Sequence, residues 1–205
     1  MNKSSITLAF TGASGSAYGL RLLEQLILAK KQVYLLVSAP AQMVIGMETD
    51  FKLPSRPAAM SEFLSERYHA DSGQLQVFGR EDWTAPIASG SSVSKSMVIC
   101  PCTSGTLAAI ASGLSRNLIE RAADVTLKEQ RKLILVHRET PLSVIHLENM
   151  LRLAKLGVVI LPASPGFYQK PRNISDLVDF IVARILDQLD IEHNLQIPWG
   201  KEGQP

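Results

Sequence analysis

The chain has 205 residues, of which 46% are hydrophobic and 20% charged, so it can bury the core of one ordinary α/β domain. Its 21 basic and 19 acidic side chains are interspersed and leave a net charge of +2, which argues against the clustered basic face of a nucleic-acid-binding protein. No apolar run reaches the length of a membrane span, and the first ten residues lack the core of a signal peptide. We therefore expect a single cytoplasmic domain over residues 1–205.

Six short apolar runs alternate with longer helical patterns along the chain. The runs predict strands at residues 6–10, 33–38, 75–78, 97–100, 133–137 and 158–162. They are almost continuously apolar, as strands buried on both faces of a parallel sheet are. The helical patterns cover residues 17–29, 40–48, 61–69, 106–111, 118–129, 143–155 and 174–189. This alternation predicts a three-layer α/β/α fold with a parallel sheet.

Small and hydroxyl-bearing residues follow the first and fourth predicted strands, at 11–16 and 103–106. Each segment leads into a helix, and the N–H groups and dipole at a helix N-terminus favour an anion. Neither the dinucleotide fingerprint nor the hydrolase elbow is present, because serines stand where each motif requires glycine, at Ser14 and Ser16 respectively. Either turn alone is also typical of a βα connection without a ligand. Two of them in one sheet predict a phosphorylated cofactor where the strand order reverses.

Basic residues offer sites for a second phosphate. Arg121 and Lys128 are seven residues apart on one helical pattern and share a face, which is also what a solvated charged surface would show. Arg184 lies in a pattern that is apolar nearly all round. Its guanidinium is therefore expected to need either a bound phosphate or a carboxylate, such as Asp187 or Asp176.

Arg138 and Glu139 come directly after the fifth predicted strand. A cation and a carboxylate at a strand end can handle a phosphate and a proton, respectively. A simple ion pair between them is the alternative.

The sequence favours chemistry without a metal. The histidines have no metal-ligand spacing, and Cys100 and Cys102 are too few for a zinc site and too close for a good disulfide. The aspartate-rich pair that holds magnesium-diphosphate in prenyl diphosphate synthases is missing. If an allylic phosphate is the substrate, arginine and lysine must stabilise its leaving charge.

Seven segments, in order along about residues 5 to 200, resemble the UbiX-type flavin prenyltransferase family. They are residues 6–15, 100–106, 117–124, 138–142, 146–150, 162–168 and 176–180. One departure is small, since Thr103-Ser104 replaces the more usual Ser-Thr or Ser-Met order and keeps a hydroxyl in first place. The resemblance implies a Rossmann-like flavoprotein assembled as a homododecamer, with active sites where subunits meet.

The implied reaction joins dimethylallyl monophosphate to N5 and C6 of reduced FMN and releases phosphate. The prenylated FMN would then serve as cofactor for a partner decarboxylase of the UbiD type, for instance in ubiquinone biosynthesis. No metal, nucleic acid or membrane is expected to take part.

The resemblance also implies the site residues. Those for FMN are Gly12, Ala13, Ser14, Ser38, Thr103, Ser104, Gly105, Thr106 and Arg138. Those for the prenyl phosphate are Tyr168, Arg184, Arg121, Lys128, Ser89 and Gly90. Glu139 would handle the proton, with Ser14 close to flavin N5. Further catalytic positions would be Lys128, Glu48 and Trp199, the last lying against the prenyl group or the flavin.

Two other functions remain open at this point. A flavin-dependent cysteine decarboxylase shares this fold and cofactor, but its Pro-Ala-Ser-Ala-Asn-Thr segment and early catalytic histidine are absent. A non-catalytic FMN carrier would need the flavin site but not the additional charges at Arg121, Lys128, Arg184 and Glu139.

Overall fold

The computed structural model describes residues 5–196, which form a sheet of six strands surrounded by helices. The strands are β1 (Ser5–Phe10), β2 (Gln32–Val37), β3 (Leu75–Phe78), β4 (Ser96–Cys102), β5 (Lys132–His137) and β6 (Val159–Ile160). The helices are α1 (Ser16–Leu28), α2 (Ala39–Glu48), α3 (Pro57–Arg67), α4 (Ser104–Ala111), α5 (Leu118–Lys128), α6 (Val144–Ala154) and α7 (Ile174–Gln188). Two short 3-10 turns, Pro86–Ala88 and Gly90–Ser92, lie between β3 and β4.

All six strands are parallel and lie in the order β3-β2-β1-β4-β5-β6. The order reverses between β1 and β4, which pair from Ile6 with Ser96 to Ala9 with Ile99. In a doubly wound sheet a crevice opens at this point, beyond the carboxyl ends of the two strands. The predicted α/β fold with a parallel sheet is confirmed.

Each face of the sheet carries its own hydrophobic core. Leu8 and Val98 pack with side chains of α1, α2, α3 and α7, whereas Ala9 and Ile99 pack with side chains of α4 and α5. The alternation follows from the two-residue period of a strand, which sends successive side chains to opposite faces. Burying one leucine or isoleucine contributes roughly 1.5–3 kcal/mol, so the two cores hold the strand ends rigidly in place.

The predicted elements are all present, but several bounds differ. β4 continues past the predicted strand through a cis Pro101 and a shift of register between Ile99 and Cys102. α3 begins four residues earlier than predicted because Pro57 occupies its first turn, where a missing N–H costs nothing. β6 shrinks to two residues, since it lies at the edge of the sheet and pairs only with β5. The single domain over residues 1–205 stays a prediction.

Cys100 and Cys102 are both free and fully buried within β4. Burial raises the pKa of both thiols well above the ordinary value, so they remain protonated. As the sequence predicted, the two thiols do not form a disulfide with each other.

Candidate functional site

The turns that follow β1 and β4 are tied together at the reversal of strand order. The Thr11 hydroxyl donates to the Pro101 carbonyl oxygen at 2.7 Å and accepts from the N–H of Thr103 at 2.9 Å. Thr11 is buried, so neither bond competes with bulk water. The structure therefore brings together the two hydroxyl-rich turns that the sequence analysis singled out.

A pocket of about 320 Å³ lies above these turns, and two helices begin at its edge. The Ser38 hydroxyl caps α2 by accepting from the Ala41 N–H at 3.1 Å. The Thr103 hydroxyl caps α4 by accepting from the Thr106 N–H at 3.1 Å, and it donates to the Thr106 hydroxyl at 2.9 Å. Two helix N-termini together with three hydroxyls form an environment suited to a phosphate.

The predicted flavin-binding residues divide between this pocket and its surroundings. Those that line the pocket are Gly12, Ser38, Thr103 and Thr106. Gly12 leaves room for α2, because a Cβ at this position would lie 2.5 Å from the Cβ of Pro40. Ala13 is buried beside the pocket, and Gly105 is exposed in the first turn of α4.

Two charged residues at the pocket were missed by the sequence analysis. Arg80 is exposed, and among residues 5–196 its guanidinium has no hydrogen bond or ion pair. Glu120 is buried and accepts hydrogen bonds from the backbone and guanidinium of Arg116 at 2.8–3.3 Å. Burial alone would raise the pKa of Glu120, but the Arg116 contacts outweigh it and lower the pKa. Arg80 lies two residues beyond the end of β3, a strand-end position at which a site residue is expected.

The N-terminus of α1 is already occupied by a carboxylate. Glu48, the last residue of α2, accepts hydrogen bonds from the N–H of Gly15 at 3.0 Å and of Ser16 at 2.9 Å, and a further one from the Ser16 hydroxyl. Gly15 has a φ of 101°, a left-handed conformation that favours glycine. The expectation that this turn offers free N–H groups to a phosphate is therefore wrong, because Glu48 binds them.

The pKa of Glu48 reflects these contacts. Partial burial would raise it, but hydrogen bonds from the hydroxyls of Ser14 and Ser16 and from the N–H groups of Ser16 and Gly15 outweigh burial and lower it. Glu48 is therefore an ionised helix cap at neutral pH, next to the Ser14 position predicted to lie near flavin N5.

A second group of predicted site residues lies beyond β4 and β5. The Arg138 Nε donates to the Ser14 carbonyl oxygen at 3.2 Å, which connects β5 to the turn after β1. The Glu139 carboxylate accepts from the Ser104 hydroxyl at 2.9 Å, and the same hydroxyl lies 3.1 Å from Nε2 of His137. No ion pair joins Arg138 to Glu139 in the described part of the chain, so the structure does not favour that alternative.

The Glu139 carboxylate is held in its ionised form. The hydrogen bond from Ser104 lowers its pKa most, followed by the backbone N–H of Thr140 and the nearby charges of Arg138 and His146. A pocket of about 250 Å³, lined partly by Arg138 and Glu139, opens at this point. The chain thus presents a proton acceptor that faces open space beside the hydroxyl-lined pocket.

Lys128 lies far from this group within one chain. It is the last residue of α5, and β5 starts four residues later at Lys132, so Lys128 is at the amino edge of the sheet. Its ammonium pairs with Glu129, and a Cβ added to Gly90 would meet both side chains, with Lys128 Nζ at 2.9 Å. Gly90 and Lys128 are therefore neighbours, as their common assignment to the substrate requires, but at the opposite edge from Glu139.

Arg121 lies two turns before Lys128 on the same helix. Its Nε donates to the Ala88 carbonyl oxygen at 3.1 Å, and its Nη1 pairs with Asp124 at 3.0 Å. Ser89 is next to Ala88, and its hydroxyl lies 3.1 Å from that of Ser91. These contacts match the charged-surface alternative within one chain and leave the guanidinium partly exposed.

Tyr168 and Arg184 form a third location, around α7. The Tyr168 ring packs edge-on against Phe180 at 5.7 Å, and Arg184 is one helical turn beyond Phe180. Arg184 is exposed and pairs with Asp187 at 2.7 Å. The expectation that the guanidinium is buried is wrong, because Arg184 lies outside the buried stripe of α7. Of the two partners expected for it, the structure shows the carboxylate of Asp187.

Trp199 lies outside the described residues. Within residues 5–196, no helix has both the length and the apolar character needed to cross a membrane. The same residues contain no cluster of three or more histidine, cysteine, aspartate or glutamate side chains that could hold a metal ion.

A family model described as Flavoprotein matches residues 1–186. The flavin prenyltransferase UbiX of Pseudomonas aeruginosa is 58% identical over 197 residues, which cover 96% of this chain and 94% of the relative. The flavin prenyltransferase UbiX of Methanothermobacter thermautotrophicus is 47% identical over 198 residues and covers 96% of each chain. The chain therefore belongs to the Flavoprotein family and, within it, to the flavin prenyltransferases.

Solved structures give the same result. A complex of AnUbiX (PadA1) with FMN and dimethylallyl pyrophosphate has a TM-score of 0.86 at 40% identity and covers 98% of this chain and 99% of its own. A dodecameric FMN-dependent UbiX-like decarboxylase from Escherichia coli O157:H7 has a TM-score of 0.85 at 38% identity. The match covers 96% of this chain and 100% of the Escherichia coli chain. The predicted family and the Rossmann-like flavoprotein fold are confirmed.

Proposed function

We propose that this chain is a metal-independent prenyltransferase that joins dimethylallyl monophosphate to N5 and C6 of reduced FMN. One observation carries the proposal. Adjacent residues of one turn serve two purposes, since Thr103 caps α4 at the hydroxyl-lined pocket while Ser104 holds the Glu139 carboxylate. A phosphate-binding pocket and a proton acceptor therefore lie side by side, where the strand order reverses.

The residues present fit FMN. Its phosphate would bind at the N-termini of α2 and α4, with the hydroxyls of Ser38 and Thr106 as donors and the Thr103 hydroxyl holding that of Thr106 in place. The ring would extend towards Ser14 and Arg138, which are already in contact. When bound and reduced, the flavin supplies the nucleophilic N5 and C6.

The protein has to handle charge and protons in this reaction. Phosphate leaves with the electrons of its bond to carbon, and cations stabilise that charge without a metal. N5 and C6 each lose a proton as they bond to carbon, while one proton must reach the allylic chain, whose double bond is consumed, and one the departing phosphate. Glu139, ionised and facing open space, is suited to accept the proton from C6.

Self-association would complete the site. Within one chain Lys128 lies at the edge of the sheet opposite Glu139, so it must come from a neighbouring copy if both act on the same phosphate. An exposed apolar surface supports this view. It lies on and around α6, close to Glu139, and consists of Leu142, Val144, Ile145, Leu147, Leu151 and Leu156. Apolar surfaces of this kind mark protein interfaces, and the relative from Escherichia coli is dodecameric.

The product would serve as cofactor for a decarboxylase of the UbiD type, with ubiquinone biosynthesis as one setting. The support comes from the family. Two related solved structures carry decarboxylase names, the UbiX-like protein of Escherichia coli O157:H7 and a phenylacrylic acid decarboxylase of Aquifex aeolicus.

Anaerobic incubation with reduced FMN and dimethylallyl monophosphate, followed by mass analysis of the flavin, tests the proposal. We expect the flavin to gain one isoprene unit and one equivalent of phosphate to appear. Reactions with oxidised FMN, or without the donor, should leave the flavin unchanged. Flavin that binds tightly and is recovered unmodified would instead identify a carrier, and release of CO₂ from a cysteine-terminated peptide would identify a decarboxylase.

A further inference from the structure

We propose that His137 is a positioning residue, which acts through the Ser104 hydroxyl to hold the Glu139 carboxylate in the orientation from which it takes a proton. The proposal rests on the proposed function, in which Glu139 is the proton acceptor. It also gives Ser104 a different role from the flavin contact that the family resemblance implies.

The hydrogen bonds fix the direction of every donor. Glu139 is ionised and can only accept, so the Ser104 hydroxyl must give its proton to Oε2 at 2.9 Å. The Ser104 oxygen then has only lone pairs to offer His137, whose Nε2 lies 3.1 Å away. Nε2 must therefore carry the proton. The result is a directed chain from His137 through Ser104 to Glu139, in which each bond polarises the next.

His137 is well placed to remain a neutral donor. It is the last residue of β5 and is only 3% exposed, so its ring cannot turn away into solvent. Burial lowers the pKa of His137 most, and electrostatic interactions with His146 and Arg138 lower it further. The interaction with Glu139 raises it, but by less than these effects together. The His146 ring lies 6.0 Å away, edge-on.

Without the hydrogen bonds from His137 through Ser104, few contacts would hold the Glu139 carboxylate in place. Glu139 has only two donors among the described residues, Ser104 and the backbone N–H of Thr140 at 3.3 Å. The Thr140 bond is long and comes from the adjacent residue, so it constrains the carboxylate weakly. A hydroxyl that rotates freely would divide its time between Glu139 and other acceptors. His137 restricts that freedom by donating to one lone pair of the Ser104 oxygen.

The direct test is to measure the pKa of Glu139 in the ligand-free protein. NMR of protein labelled with carboxyl ¹³C glutamate measures it during a pH titration. The spectrum of Glu139→Gln identifies the resonance. Ser104→Ala should raise this pKa, and His137→Leu should raise it in the same direction by less, because the hydroxyl remains. His137→Gln keeps an N–H donor of similar reach and should restore the wild-type value. An unchanged Glu139 pKa in His137→Leu would overturn the proposal, whatever the result for Ser104→Ala.

Kinetics give a second test with a different readout. Because Glu139 must be ionised, the acid limb of the pH profile of kcat/KM should move to higher pH in Ser104→Ala and His137→Leu, with kcat lower by roughly three- to tenfold and the KM for donor unchanged. The double variant should be no slower than Ser104→Ala, since His137 acts through that hydroxyl. Additive losses, or no shift of the acid limb, would contradict the proposal.

Flavin binding separates this inference from the proposed function. The dissociation constant for FMN, from quenching of flavin fluorescence, should be the same in Ser104→Ala and in the wild type, whereas a flavin-contacting hydroxyl would weaken binding about tenfold when lost. A wild-type protein that makes no prenylated flavin would refute the proposed function, and the NMR titration would still decide the hydrogen-bond chain.

Discussion

The Glu48 carboxylate at the end of α2 closes the N-terminus of α1, where it accepts a hydrogen bond from the N–H of Gly15 at 3.0 Å. A helix that follows a glycine-rich turn commonly offers this position to a phosphate. In this chain the carboxylate of Glu48 takes that position, and the phosphate site that we propose lies at the N-termini of α2 and α4 instead. Glu48 thus belongs to the structure of the site, whatever further part it has in the reaction.

Replacement of Glu48 by alanine should destabilise the protein by about 0.5–2 kcal/mol, the usual cost of a lost helix cap. The effect should depend on pH. Because hydrogen bonds hold the pKa of Glu48 below its unfolded value, its contribution is complete above the unfolded pKa and is lost as pH falls through the folded pKa. Urea unfolding at pH 7 and pH 3 measures both effects. Glu62→Ala, at an exposed position on α3, is the control, and an equal loss in the two variants would contradict the capping role.

Replacement of Arg80 by alanine should weaken FMN binding while leaving riboflavin binding unchanged. The Arg80 guanidinium borders the hydroxyl-lined pocket without an ion pair among the described residues, so it is available to the flavin phosphate. A charge-assisted contact is worth about 1.5–3 kcal/mol, which corresponds to roughly a ten- to hundredfold loss of affinity. Titration of the flavin fluorescence measures both ligands.

Two further variants sharpen the Arg80 experiment. Arg80→Lys should retain part of the FMN affinity, because it keeps the charge but loses the planar fork of donors. Arg152→Ala removes an exposed arginine in the last turn of α6, outside the pocket lining, and serves as the matched control. Equal losses of FMN and riboflavin in Arg80→Ala would place the phosphate elsewhere.

Glu139→Gln should bind FMN and the prenyl donor normally and lose most of its activity. The amide keeps the shape of the side chain but cannot accept a proton at neutral pH, and loss of a general base typically costs about 10²–10⁴ in rate. Single-turnover formation of prenylated flavin, measured beside equilibrium binding of both ligands, separates chemistry from affinity. Near-normal turnover would remove Glu139 from the mechanism.

Co-expression of two inactive variants should restore activity if neighbouring copies share the site. Glu139→Gln and Lys128→Ala remove groups that lie at opposite edges of the sheet in one chain. In a randomly mixed assembly about one quarter of the sites would carry both wild-type residues. Differently tagged subunits allow mixed assemblies to be purified and assayed. A mixed assembly without activity would mean that both groups act from the same chain. An active Lys128→Ala variant on its own would show that Lys128 is not required.

Activity should survive removal of divalent metal ions. Residues 5–196 contain no cluster suited to a metal, and the available cations are arginine and lysine. We expect equal rates in EDTA and in excess Mg²⁺. Loss of activity in EDTA that Mg²⁺ reverses would show that the phosphate needs a metal partner.

Local patterns were sufficient to predict the sheet. Continuous apolar runs marked all six strands, and the hydroxyl-rich turns after β1 and β4 indicated the crevice, because these features depend on neighbouring residues. The site contacts depend on residues far apart in the chain. Glu48 meets Gly15 from 33 residues away, and Ser104 meets Glu139 from 35. Nothing in the local sequence specifies either pair.

The position of Arg184 shows another limit. The helical pattern around it is so rich in apolar residues that a buried guanidinium was expected, yet only one stripe of α7 is buried and Arg184 lies outside it. Which residues of an apolar helix are covered depends on its rotation against its neighbours, and a surface left open in one chain can be the contact between copies. The apolar side chains of α6 are exposed in one chain, and the sequence did not predict that exposure either.

The two buried thiols of β4 give this protein a built-in reporter of its own opening. Cys100 and Cys102 are the only cysteines in the chain, and they lie in the strand that adjoins the reversal of strand order. An alkylating reagent can reach them only when the centre of the sheet separates, so the labelling rate measures how often that happens. A ligand that binds across the crevice should slow labelling in proportion to its concentration over its dissociation constant. Surface substitutions that leave the sheet intact should not change the rate at which Cys100 and Cys102 are labelled.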